Sequence, residues 1–132
     1  MLSRGRRRVA LVLALLWAGL LYYLSDQPGL HMPQLFSLQD KLVHLAVYAV
    51  LGALAMASRP LSATERRGIE YWRVCVLVAI YAALDELHQY FVPGRSADVL
   101  DWLADCAGVL LGAGLVWWLA GRRPGRPAQP QF

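Results

Sequence analysis

An all-α, polytopic integral membrane protein, a bundle of four helices with both termini cytoplasmic, is the fold class the sequence predicts. Three observations predict it. Of 132 residues, 58% are hydrophobic and 17% charged, too apolar for an ordinary soluble domain. The apolar residues form four blocks, at about 9–24, 42–57, 72–92 and 99–120, each near the ~20 residues that cross a ~30 Å hydrocarbon layer as helix. The basic residues flank these blocks unevenly: all but Lys41 and Arg95 of the 13 Lys and Arg lie before the first block, between the second and third, or after the fourth. By the positive-inside rule those three places are cytoplasmic. A soluble four-helix bundle would carry a polar stripe on every helix, whereas the first block has no charge and the fourth has none after Asp105.

The first block follows Arg4-Gly5-Arg6-Arg7-Arg8, a basic stretch that also opens secretory signals, but no small-x-small cleavage signature precedes Asp26. An uncleaved first span is therefore predicted. In the outer loop that follows, Pro28, Gly29 and Pro33 punctuate Leu30, Met32, Leu35 and Phe36, the pattern of a segment lying on the membrane surface. The middle loop holds Arg59-Pro60 and then Ser62-Ala63-Thr64-Glu65, a capping-box spacing that predicts a short cytoplasmic helical turn. The second outer connection, residues 92–97 around Pro93-Gly94, is so short that the third and fourth spans must form an antiparallel hairpin. Along the fourth span, Gly108 and Gly112 form a GxxxG that lets a neighbouring helix approach closely, and Trp102, Trp117 and Trp118 near the ends are expected as interfacial anchors. Residues 121–132, with Pro124, Pro127 and Pro130, read as a disordered tail after a single domain over 1–120. Cys75 and Cys106 differ in expected depth by roughly 10 Å, against the ~5.5 Å Cα spacing of a disulfide, and read as packing residues. The net charge of +4 follows from topology and anionic headgroups, and gives no support to nucleic-acid binding.

The ionisable residues within the apolar blocks are the functional candidates. Each costs about 2.5–3.5 kcal/mol at mid-bilayer and persists where it has a partner or a task. Asp40, His44 and Tyr48 recur at i, i+4 and i+8 on the second span, with Lys41 beside them, while Asp98, Asp101 and Asp105 share one face of the fourth. On the third, Asp85 aligns with His88 and Gln89, and Glu86 with Gln89 and Tyr90. Counted from the Pro93-Gly94 turn, Asp85 lies about 12 Å down the third span and Asp105 about 10 Å down the fourth. The three stripes thus predict one polar cavity in the outer leaflet. Most of the acids fall on the side that holds only two basic residues, an imbalance that calls for solvation, protonation or a bound cation. Taken singly, several residues have plainer roles: Lys41 as a snorkelling end residue, His88 as a helix cap, His44 paired with Asp40, and Arg95 with Asp98 as an exposed ion pair worth under about 1 kcal/mol. Asp85, Glu86 and His44 are the candidate catalytic residues. Lys41, His88, Gln89, Arg95, Ser96, Asp98, Asp101 and Asp105 are the candidate binding residues, and none is assigned as a metal ligand.

Three stretches carry a family resemblance. They are Asp40-Lys41-Leu42-Val43-His44-Leu45-Ala46-Val47-Tyr48, then Asp85-Glu86-x-x-Gln89-x-Phe91-x-Pro93-Gly94-Arg95, then Asp98-x-x-Asp101-x-x-x-Asp105-x-x-Gly108-x-x-x-Gly112. In this order and spacing the region over residues 39–114 resembles VanZ-like membrane proteins. Where that family carries an asparagine, this chain has Asp105, which keeps an acceptor oxygen and adds charge. The resemblance implies a multi-pass protein of the bacterial cytoplasmic membrane and a link to glycopeptide (teicoplanin) resistance that leaves the peptidoglycan precursor unaltered. It carries over no molecular activity.

Three function classes fit these residues. In the first, the cavity binds an envelope lipid or a lipid-linked cell-wall precursor: Lys41 and Arg95 meet phosphate or carboxylate, Gln89 and Ser96 supply hydrogen bonds, and the carboxylates take hydroxyl, amine or a cation. In the second, a membrane-embedded enzyme uses Asp85 or Glu86 as acid or base with His44 or His88, or holds Mg²⁺, Mn²⁺ or Zn²⁺ to attack a phosphoester. No HExxH, phosphatase signature or fixed ligand spacing supports the metal variant, and the sequence names no cofactor. The third is a small transporter or proton-coupled component. The cytoplasmic halves of the spans are nearly free of ionisable groups, so a complete path would need an oligomer.

Overall fold

The computed structural model describes residues 2–28, 36–61 and 64–122. Four helices follow in order: α1 (Arg4–Ser25), α2 (Gln39–Ala57), α3 (Thr64–Gln89) and α4 (Val99–Gly121). Of these, α1, α2 and α4 are long and apolar enough to cross a membrane. The surface is inverted relative to a water-soluble protein: Leu15, Leu16, Leu77, Leu84 and Leu111 are all more than half exposed, while Asp101 and Asp105 are buried. Helix α3 has the lower hydropathy because Glu70, Arg73, Asp85 and Glu86 interrupt it. Three of those four, Glu70, Asp85 and Glu86, point inward and are buried, and its outer face carries exposed Ile69, Trp72, Val76, Ile80, Leu84 and Leu87.

The closest helix pair is α2 with α4, not neighbours in sequence. Glycines make the approach possible. A Cβ on Gly108 would collide with the Leu45 carbonyl and one on Gly112 with the Ala49 carbonyl; reciprocally, a Cβ on Gly52 would stand 2.8 Å from the Val109 carbonyl oxygen. The GxxxG of α4 therefore lets α2 in, and Gly52 answers it from the other side. The hairpin of α3 and α4 is present as well but packs less extensively, so the short connection does not mark the principal contact of α4.

Aromatic side chains then tie the helices through spare lone pairs on helix carbonyls. Trp17 Nε1 donates to the Val47 oxygen at 2.9 Å (α1 to α2), Tyr81 Oη to Ala18 at 2.6 Å (α3 to α1), and Trp102 Nε1 to Ala79 at 3.1 Å (α4 to α3). Trp102, expected as an interfacial anchor, is half-buried between helices because its indole N–H finds that carbonyl. Thr64 and Glu65 of the capping-box motif belong to the first turn of α3 itself, while Ser62 and Ala63 lie outside the described residues, as do Leu30, Met32, Pro33, Leu35 and the tail from Arg123. At the other end α3 stops at Gln89, short of residue 92, in a turn where Gly94 takes φ 79°, a left-handed conformation that suits glycine. Cys75 and Cys106 are free.

The two ends of the bundle differ in charge. At one, Arg4, Arg7 and Arg8 gather beside Ser58, Arg67 lies against Gly121, and Arg59 and Arg73 grip buried Glu70 at 2.6 and 2.9 Å. At the other stand Asp26, Asp40, Asp98 and Asp101.

The seam between α2 and α4 yields a direct test. Gly112→Leu should destabilise the detergent-solubilised protein by about 3 kcal/mol or prevent its accumulation, since the clash is with backbone that cannot move aside. Gly19→Ala, whose added Cβ meets nothing within 4 Å, should leave the unfolding midpoint unchanged. Equal stability of the two variants in a denaturation series would refute the seam as the main packing constraint.

Candidate functional site

The site is built on α4, whose start is fixed by Asp98. This residue is the N-cap: its Oδ1 accepts the Leu100 N–H at 2.8 Å, its backbone N–H donates to Glu86 Oε2 at 3.1 Å, and its Oδ2 accepts from Lys41 Nζ at 2.6 Å. One residue thus joins α2, α3 and α4. Its carboxyl is held below the ordinary carboxylate range, first by the Lys41 ammonium and then by the Leu100 N–H. The exposed Arg95–Asp98 pair entertained from sequence does not form, because Lys41 takes the carboxylate. Arg95 instead turns to the end of α1, donating from Nη2 to the Leu24 carbonyl at 2.9 Å and from Nε to that of Gln27 at 3.4 Å.

One turn deeper, the close approach of α2 and α4 sets Lys41 Nζ 2.5 Å from Asp101 Oδ1, and a turn further His44 Nδ1 2.9 Å from Asp105 Oδ1. Asp105 is 1% exposed. The other imidazole nitrogen of His44, Nε2, faces Asp101 Oδ2 at 4.0 Å, and Nδ1 also faces Glu86 Oε1 at 3.9 Å. Helix α3 closes the group: Asp85 Oδ2 accepts from the Tyr48 hydroxyl at 3.4 Å, while Glu86 Oε1 is buried with no hydrogen-bond partner among the described residues. The buried Ser25 hydroxyl, at the end of α1, lies beside Asp85 and is a donor to its carboxylate.

Of the residues singled out from sequence, Lys41, His44, Asp85, Glu86, Asp98, Asp101 and Asp105 therefore converge. The others do not join them directly. His88 stacks on Tyr22 at 4.9 Å between ring centroids and pairs with Asp26 at 2.8 Å; Gln89 is buried; Ser96 is exposed. His44 pairs with Asp105 and not with Asp40, its neighbour one turn away. Two contributors were not foreseen. Tyr48 was visible only as a third position on the α2 stripe, and Ser25 gave no signal beyond ending the first apolar block. Chemically, the cluster offers one buried carboxylate oxygen, Glu86 Oε1, open to a donor or cation, one imidazole between three acids, and one ammonium already shared by two acids.

No curated protein and no solved structure is similar enough to be matched. The sequence profile of the family described as VanZ/LLP1, however, matches residues 10–120, which take in α2 and α3, most of α1 and α4, and every member of the cluster. With that match spanning most of its length, the chain belongs to the VanZ/LLP1 family.

Proposed function

We propose that this VanZ/LLP1 protein crosses the bacterial cytoplasmic membrane four times, with both termini and the middle loop inside, and that its polar cluster recognises the headgroup of an envelope lipid or a lipid-linked cell-wall precursor from the outer leaflet. Orientation is supported by the arginine-rich end of the bundle, which the positive-inside rule assigns to the cytoplasm. A fourth crossing by α3 is supported by its apolar outer face, since its charges at Glu70, Asp85 and Glu86 are turned inward.

The single observation that carries the binding reading is the buried, unpartnered Glu86 Oε1, beside the buried carboxylate of Asp85. A buried acceptor without a donor costs about 1–3 kcal/mol, more when charged, and a headgroup bringing hydroxyl or amine donors would recover that cost. Lys41, still a quarter exposed, and Arg95 lie at the rim where a phosphate would arrive. Entry would require Lys41 to leave Asp98 or Asp101, an exchange of one charge-assisted bond for another. A link to glycopeptide resistance stays an expectation of the family and is independent of this geometry.

A second reading is favoured by one distance. Glu86 Oε1 faces His44 Nδ1 at 3.9 Å, so acid–base chemistry on a bound lipid ester would require the carboxyl and the imidazole to close to hydrogen-bonding distance of each other and of the ester. Turnover of a captured lipid separates it from binding alone.

Two outcomes are expected. Reporter fusions after Arg67 and after Gly121 should report cytoplasm and an insertion at Pro33 the outside; a cytoplasmic signal at Pro33 would invert the whole assignment. Native mass spectrometry of the purified protein should find a co-purified envelope lipid, or saturable binding of one. Asp85→Asn with Glu86→Gln should reduce it at least tenfold while leaving thermal stability unchanged or raised, because desolvated charge is removed without change of shape. Undiminished binding in the double variant would make the acidic pair structural.

A further inference from the structure

We propose that His44, Glu86 and Asp105 form a binding site for one divalent transition-metal ion, Zn²⁺ or Mn²⁺. One donor atom from each of the three lies within 4.8 Å of the others. Two of the edges, 2.9 Å from His44 Nδ1 to Asp105 Oδ1 and 3.9 Å to Glu86 Oε1, bracket the roughly 3.4 Å edge of a tetrahedron with bonds of about 2.1 Å. Small side-chain shifts would bring all three onto one ion.

A cluster of acids alone would not make this argument. The independent observation is Glu86 Oε1, which belongs to a side chain more than nine-tenths buried, has no hydrogen-bond partner and points at the imidazole. Charge distribution agrees. A second grouping, Asp40, His44 and Asp101, also has ligand-like spacing, but Lys41 already lies within 4.0 Å of Asp40, Asp98 and Asp101 and neutralises that side. On the Nδ1 side, His44 is the one basic side chain in ion-pair range of Glu86 and Asp105 among the described residues. Two carboxylates facing one imidazole in a low-dielectric interior suit a dication better than a single proton.

The ligand set also fixes the proton. Nδ1 binds the ion, so the imidazole proton resides on Nε2, which faces Asp101 Oδ2; that carboxylate, itself held by Lys41, would orient the ring from the outer shell. Three protein ligands leave at least one position for water or an oxygen of a lipid headgroup. One imidazole with two carboxylates fits Zn²⁺ or Mn²⁺ better than Mg²⁺, which prefers oxygen and retains water. The partly exposed His44 side chain gives the ion a route in. None of this depends on lipid recognition, and it is measurable without lipid.

The test uses the full-length protein in detergent, stripped with chelator and equilibrated with Zn²⁺ or Mn²⁺. About one ion per folded chain should be retained, more weakly at acid pH because the ligands must be deprotonated. Co²⁺ should give visible d–d bands from a mixed nitrogen–oxygen site. Glu86→Gln and Asp105→Asn should each weaken Zn²⁺ binding about 100-fold, whereas Asp26→Asn, which alters only the His88 pair, should not. Failure of the folded wild type to retain any of the three ions would overturn the proposal, as would retention unaffected by Glu86→Gln, which would put the ion elsewhere. If Asp105→Asn does not fold, Glu86→Gln and the wild-type Co²⁺ spectrum decide the question.

Discussion

The absence of three side chains, at Gly52, Gly108 and Gly112, is the constraint on which the rest of this bundle depends. Inside a bilayer, apolar residues gain little by leaving lipid for protein, so helices associate through close packing and hydrogen bonds. Here the glycines bring the α2 and α4 backbones into contact. That same closeness puts Lys41 on Asp101 and His44 on Asp105 at hydrogen-bonding distance. Wider separation would leave those charges reaching across a gap, and the polar stripes would have no common interior to face.

Charge is handled differently at the two ends. At the arginine-rich end one buried acid, Glu70, is satisfied by two guanidinium groups that remain partly in contact with solvent. At the acidic end cations are scarce, and the structure economises on them: Lys41 serves Asp98 and Asp101 together, and Asp98 serves as helix cap, ion-pair partner and backbone donor at once. Elsewhere the bundle avoids charge altogether by directing Trp17, Tyr81 and Trp102 at backbone carbonyls, which have a second lone pair to offer.

Much of this was legible in the sequence, for stated reasons. Helix number follows from four apolar blocks, and the inward direction of Asp101 and Asp105 follows from their sharing a face with Gly108 and Gly112. Partner choice was not legible: the short Pro93-Gly94 connection drew attention to α3 and α4, but loop length restricts which helices can be adjacent and not which pair packs best. The Arg95–Asp98 pair was misread, and the Trp102–Ala79 bond missed, because the acceptors are backbone carbonyls, which every residue possesses and no residue type announces. The third span was found at 72–92, but the start of α3 at Thr64 was not, because Glu65, Arg66, Arg67 and Glu70 make residues 64–71 read as a polar loop.

That α2 pairs chiefly with α4 and not with its neighbours along the chain has a consequence for biosynthesis. The ribosome releases α2 and α3 well before α4, so during that interval Lys41 and His44 wait in the membrane without Asp98, Asp101 and Asp105, and Asp85 and Glu86 wait in α3 with only α1 and α2 beside them. The cluster is completed only when α4 arrives. A chain stalled or cleaved before Val99 is therefore not a smaller version of this protein but one with exposed, uncompensated polar groups, the kind of intermediate that membrane quality control is equipped to detect.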